Sequence, residues 1–315
     1  MPHTLVIDTI RFGSPDWERL ARGGVTTVFA SPDSAAVIGP RGAILHTAGP
    51  WAGRIVSEAS DVKATIGTDT YSQGGGNNSP YRNYVTNRTR RPNSRMGVAW
   101  VFRKAMYDTL RYREGHELEG TDVPDAPAME VLSEVFAGQI PLRIQARQQL
   151  DIATALRVSE EFGLPFTLLE ATEAYRCLDE LKAANVPVIF GPIYTDPSGL
   201  RQRSSETRES RLGTITELLD AGIDTALSAQ DLREEDGLIR QAMYAVRAGV
   251  EAETALRLVT EVPARMLGLG DRLGTVETGK QADLVVWSGE PLEATSKPLV
   301  VMIKGSVVVD ERAEG

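Results

Sequence analysis

Between Ile140 and Gly249 the chain repeats one unit, a short apolar run followed by an amphipathic stretch. "IPLRIQA" leads into "DIATALRVSEEFG", and "PFTLLE" into "TEAYRCLDELKAAN". "VPVIFGP" leads through a polar loop to "RLGTITELLDAG", and "IDTALSA" precedes "EDGLIRQAMYAVRAG". The apolar runs are strand-length and rich in β-branched residues, while the longer stretches carry apolar residues at three- and four-residue steps. Strands joined through helices lie parallel, and a parallel sheet needs helices over its faces. Several successive units favour a closed (β/α) barrel, although the periodicity alone also allows an open sheet.

The flanking segments frame this repeat. "SPDWERLARGGVTTVFASPDS" predicts a helix after Ser14, with Pro15 in its first turn, a stop at Gly23 and Gly24, and a strand from Val25. "MGVAWVFRKAMYDTLRYREG" and "APAMEVLSEVFAGQ" predict two helices. The polar stretch Tyr71 to Arg95, with three consecutive glycines, is either disordered or a surface and interface loop. After "EAETALRLVTEVPARMLG" the texture changes: "DRLGTVETGKQADLVVWSGEP" and "LVVMIKGSVVVD" are short strands divided by Gly and Lys turns. They are too short to hold a core alone and must pack on something else.

Composition narrows the function classes. The 43 acidic and 34 basic residues give a net charge of −9, spread along the chain, with no basic block for nucleic acid or anionic membrane. Cys177 is the only cysteine, so neither an intrachain disulfide nor a thiolate cluster is possible, and a buried structural thiol is expected. No leader-like segment or run of 18 apolar residues occurs, and a cytoplasmic setting is the expectation.

The tail "GTVETGKQADLVVWSGEPLEATSKPLVVMIKGSVVVD" resembles the closing segment of the metal-dependent amidohydrolase superfamily. "AETALRLVTEVPARMLGL" resembles that family's last barrel helix, and "GGVTTVFASPDSAAVIGPRGAI" and "RPNSRMGVAWVFRKAMYD" its imidazolonepropionase-related branch. The resemblance implies an α/β fold: an incomplete or truncated (β/α)8 TIM-like barrel with a small C-terminal β-sandwich remnant. Residues 1–268 would form the barrel domain and 269–315 the sandwich segment.

The family binds zinc or iron through a His-x-His pair after the first strand, histidines after the fifth and sixth, and an aspartate after the eighth. Matched onto this chain, the first pair has no counterpart, and "PHTLVIDTIRF" resembles the family's stretch just beyond that pair. The fifth-strand histidine falls at Gln145, the sixth at Glu170, and the aspartate at Gln230 or, one residue on, Asp231. No metal site and no cofactor are therefore expected. The three histidines are scattered: His3 near the terminus, His116 after a helix end, and His46 as either a buried hydrogen-bonding group or a pocket residue.

Glu170 and Asp231 are the candidate catalytic pair, since two carboxylates with separated pKa values support acid–base work. Gln145, Arg147, Glu170, Gln230 and Asp231 would line a pocket, with Arg143 or Arg147 satisfying carboxylates in place of a metal. The function expected from these losses is a catalytically degenerate amidohydrolase-like protein with a binding or assembly role. Its partner would be a second copy, or an intact amidohydrolase homologue. The alternative is a hydrolase of carbon–nitrogen (non-peptide) bonds using an atypical metal or carboxylate site.

Overall fold

The computed structural model describes residues 1–72, 92–116, 125–193, 210–229 and 237–312. The first helix, α1 (Pro15–Arg22), starts where Ser14 Oγ accepts a bond from the Asp16 amide and Pro15 takes the first position. Then come β1 (Thr27–Ala30), β2 (Ile38–Arg41), β3 (Ala43–His46), α2 (Trp51–Arg54), β4 (Ile55–Ser57) and β5 (Val62–Thr65). A short helix, α3 (Asp69–Ser72), comes after β5.

The long helix α4 (Arg95–Arg113) is capped by Ser94 and buries Val98, Phe102, Met106 and Thr109, a stripe at four- and three-residue steps. Next is α5 (Ala126–Phe136), capped by Asp125. The repeated units then run β6 (Leu142–Ala146), α6 (Gln149–Phe162), β7 (Phe166–Glu170), α7 (Leu178–Ala183), β8 (Val188–Phe190), α8 (Thr214–Asp220), β9 (Thr225–Leu227) and α9 (Leu238–Arg247). The chain closes with α10 (Ala252–Arg257), α11 (Glu261–Met266) and the strands β10 (Leu284–Trp287), β11 (Pro298–Ile303) and β12 (Ser306–Asp310).

Six strands form the main sheet in the order β2-β5-β6-β7-β8-β9, with β2 antiparallel and the rest parallel. This is the α/β architecture expected from the sequence, an arrangement consistent with an amidohydrolase-type (β/α)8 barrel. Alternation along β5 and β6 sends Val62, Ala64, Leu142, Ile144 and Ala146 into the helix-packed core, with Phe102, Met106 and Ile152. Two small sheets, β1-β3-β4 and β10-β11-β12, stand apart from the main one.

Two segments differ from the sequence reading. "AETALRLVTEVPARMLGL" forms two helices that break at Thr260, which has φ −127 and ψ −80. Pro263, with no amide hydrogen to donate, falls in the first turn of the new helix, where none is needed. "TEAYRCLDELKAAN" holds a 3-10 turn at Ala174–Arg176 before α7, with buried Cys177 at the junction. Burial pushes its thiol up to about 11, far from a nucleophile's range.

Candidate active site

The same alternation that buries Ile144 and Ala146 turns Arg143, Gln145 and Arg147 to the opposite side of β6. Register sets Lys63 of β5 beside Arg143, and Thr65 beside Gln145. All of these polar side chains are buried. The inner face of the sheet is thus charged where a purely structural barrel would be apolar.

At the carboxyl ends of the strands these residues converge on Arg147. Its Nε donates to Glu170 Oε2, its Nη2 donates to Glu170 Oε1 at 3.1 Å, and its Nη1 donates to Asp69 Oδ2. Gln145 Nε2 lies 3.5 Å from the same Asp69 oxygen, and Gln145 Oε1 accepts from Ser34 Oγ at 2.7 Å. Lys63 Nζ donates to the Pro32 carbonyl at 2.6 Å. The segment 31–37 therefore lies against the cluster through two hydrogen bonds.

Glu170 reaches Arg147 through a local departure from strand geometry. Period two would set it on the same side as Leu168, which packs in the core. Glu170 and Ala171 instead take φ 69 and φ 52, the left-handed region that non-glycine residues rarely occupy. Such backbone costs on the order of 1–3 kcal/mol per residue and concentrates at functional sites.

The electrostatics are set by burial. Desolvation raises the Glu170 carboxyl above its ordinary value against the pull of Arg147 and Lys63. Burial depresses the Arg147 guanidinium, but Glu170 and Asp69 more than offset this and hold it above its ordinary range. Lys63 is lowered to about 8, chiefly by desolvation.

Below this cluster, Arg143 Nε lies 3.4 Å from Asp61 Oδ2 and the guanidinium stands over the Phe29 ring at 5.0 Å. A separate buried group ties the small sheets together: His46 Nδ1 is 3.0 Å from Thr27 Oγ1 and 3.5 Å from Asp283 Oδ2.

Of the residues singled out from sequence, the structure brings Gln145, Arg147 and Glu170 together. Gln230 and Asp231 lie outside the described residues, as does 73–91 of the polar stretch between Tyr71 and Arg95. Gln148 turns away, its Oε1 accepting from Arg95 at 2.6 Å. His116 is exposed beside Glu114, and His3 sits 3.3 Å from Asp125. Sequence reasoning missed Asp69, Lys63 and Ser34. A lysine within the apolar run "DVKATI" is the one signal that pointed there.

Buried charge gathered at the carboxyl ends of parallel strands is where barrel enzymes carry their chemistry. Comparison with known proteins gives the family. The model of the amidohydrolase family matches residues 146–308. A crystal structure of an amidohydrolase from Thermotoga maritima MSB8 is 32% identical, covering 98% of this chain and 78% of that one at a TM-score of 0.83. The chain belongs to the amidohydrolase family.

Among curated relatives, amidohydrolase tasK of Hapsidospora irregularis is 26% identical over 94% of this chain and 32% of its own length. Imidazolonepropionase of Maricaulis maris (strain MCS10) is 28% identical over 49% of this chain and 37% of its own. The chain thus spans about a third of the length of these curated relatives.

The near-full-length similarity to the Thermotoga amidohydrolase, with an intact buried network of charged groups, corrects the expectation of a catalytically degenerate protein with a binding or assembly role. The expectation misjudged the chemistry because it counted missing histidines and not the charges that had gathered around Arg147. The family's zinc or iron does not fit the described cluster. Asp69 and both oxygens of Glu170 are turned onto a fixed guanidinium charge, which a dication would have to face. Among the described residues no three His, Cys, Asp or Glu side chains converge.

Proposed function

We propose that the chain is a hydrolase acting on carbon–nitrogen (non-peptide) bonds, and that Glu170, Arg147 and Asp69 carry its chemistry. The observation behind this reading is the Arg147 bridge between two buried carboxylates at the strand ends, with Glu170 held there by left-handed backbone. Similarity to proteins named amidohydrolase and imidazolonepropionase supports the reaction class.

Hydrolysis of such a bond needs water added to a trigonal carbon, stabilisation of the oxygen charge that develops, and a proton for the departing nitrogen. Arg147 supplies a permanent positive charge in a water-poor setting, where it acts most strongly on developing negative charge. Glu170, a carboxylate whose burial raises its affinity for a proton, takes one from the attacking water and passes it to the leaving nitrogen. Asp69 holds the guanidinium from the other side and keeps its plane fixed. The reading requires neither zinc nor iron.

The test uses untagged protein, chelator-treated or supplemented with zinc or iron, against a panel of cyclic amides, ureides and amidines. Ring absorbance and ammonia release are monitored together. Turnover by the chelated protein is expected, falling about 100-fold in Glu170→Gln. The reading is overturned if no compound is hydrolysed above the buffer rate, if turnover requires the metal, or if Glu170→Gln matches the parent.

A further inference from the structure

The cluster around Arg147 is closed off from solvent. Lys63, Asp69, Gln145, Arg147 and Glu170 are each no more than 8% exposed, so in this conformation neither a substrate nor an attacking water reaches them freely. Among the described residues, the segment 31–37 covers them. Residues 31–37 are in neither helix nor strand and run from the end of β1 in a small sheet to the start of β2 in the main one. Burial alternates along its first half: Pro32 and Ser34 are buried, while Ser31 and Asp33 are exposed. The cover is therefore a single layer, with one side against the charged cluster and the other in solvent.

Two hydrogen bonds fasten the inner side. Lys63 Nζ donates to the Pro32 carbonyl at 2.6 Å, and Ser34 Oγ donates to Gln145 Oε1 at 2.7 Å. Asp33 Oδ1 accepts from the Ala35 amide at 3.0 Å, and Val37 O accepts from the Thr65 amide at 2.9 Å where the segment joins the main sheet. A cover pinned by a few side-chain bonds opens at lower free energy than the strand ladders beneath it. There is also space beside it. Ala35, Ala36 and Val37 line a cavity of about 490 Å³ with Val101, Leu132 and Thr70, the sequence neighbour of Asp69.

We propose that residues 31–37 form a strap that closes the site between turnovers, and that substrate replaces the strap bond for bond. The inference rests on the hydrolase reading. The closed strap offers one acceptor, the Pro32 carbonyl, and one donor, the Ser34 hydroxyl. Once it lifts, Lys63 is left as a donor and Gln145 as an acceptor, the complements of the C=O and N–H of an amide or ureide. Leaving either group buried and unpaired costs free energy, so a compound bringing both a carbonyl and an N–H displaces the strap at less cost than one lacking them. Lys63 and Gln145 bind substrate in this scheme, while Glu170 moves the proton.

Thiol labelling with an aromatic disulfide reagent tests the proposal, because Cys177 is the only cysteine and is buried. In the parent, Cys177 reports unfolding of the whole chain. Ser34→Cys, placed in a Cys177→Ala background, keeps the size of serine and a proton to donate. Its thiol is expected to react at least about 100-fold faster than Cys177, at a rate insensitive to urea below the unfolding transition. Equal rates with equal urea dependence overturn the proposal. So does reaction as fast as that of the exposed control Asp33→Cys in the same background, since nothing would then hold the strap down.

Adding Lys63→Met removes the second fastening and is expected to speed labelling of the Ser34→Cys protein about fivefold, the worth of one hydrogen bond; an unchanged rate overturns the latch. The best substrate of the panel, at saturation, is expected to speed it as well. A compound that is turned over yet leaves labelling unchanged or slows it sinks the replacement of strap by substrate and leaves the hydrolase reading standing. If no panel compound is turned over, the hydrolase reading falls, while the labelling rates still decide whether the strap opens.

Discussion

Replacing Arg147 with Met tests whether the charged cluster is a dry electrostatic unit. The Arg147 side chain is 5% exposed, and its partners Glu170 and Asp69 are 9% and 11% exposed. Met fills much of the same volume, so the dominant effect is two carboxylates left in a poorly solvated site without their cation. Removing one partner of a buried ion pair costs about 3–5 kcal/mol, against about 0–1 kcal/mol for a solvated pair. Urea unfolding monitored by far-UV circular dichroism at pH 8 is expected to place Arg147→Met about 3–5 kcal/mol below the parent.

The loss should shrink on acidification. Without Arg147 the folded-state pKa of Glu170 rises further above its unfolded value of 4.5, so the unfolded state gives up the proton more readily. The penalty is therefore fully present well above the folded pKa and disappears as pH falls toward 4.5. Adding Glu170→Gln to Arg147→Met should recover about 1–3 kcal/mol at pH 8, because one stranded charge is gone. A loss below about 1 kcal/mol at pH 8, unchanged at pH 5, would refute the reasoning and show the cluster to be wet and screened.

Two more outcomes are expected from the packing. A Cβ at Gly42 would lie 2.5 Å from Asp61 Oδ1 and 2.6 Å from Phe29 Cε2, so Gly42→Ala must displace the ring under Arg143. It is expected to cost about 1–3 kcal/mol in the same urea assay, and a neutral result would mean the Phe29–Arg143 stack is loose. His46 has its pKa lowered from 6.5 mainly by burial, so the unfolded state binds the proton more tightly. Its contribution to stability is complete above pH 6.5 and is lost as pH falls below it. Thermal midpoints measured between about pH 8 and 5 should show this loss, and His46→Gln should flatten it.

Much of the fold was legible along the chain because strand and helix periods are local properties. The alternating apolar residues of "LRIQA" and the four-step stripe of "MGVAWVFRKAMYD" locate their own elements, and succession of the units implies a parallel sheet. The helix break near Pro263 and the turn before Cys177 were less visible, since a proline in a first turn and a three-residue 3-10 turn both keep an apolar spacing compatible with one continuous helix.

The site was legible only in part. Gln145, Arg147 and Glu170 could be placed at strand ends by matching the chain to a family pattern, and an arginine bonded to carboxylates there could be anticipated. What those side chains contact depended on strand register, which brings Lys63 level with Arg143, and on α3, which presents Asp69 from 78 residues away in sequence to Arg147. The decisive turn was at Glu170. The strand period alone would set it on the core side of β7, and the left-handed backbone at Glu170 and Ala171 swings the carboxylate onto Arg147. Sequence by itself determined which elements form and which faces are apolar, because those arise from short-range sterics and burial. Tertiary structure decided which charges meet, because Coulomb interactions in a desolvated interior depend on distances that the order of residues does not specify.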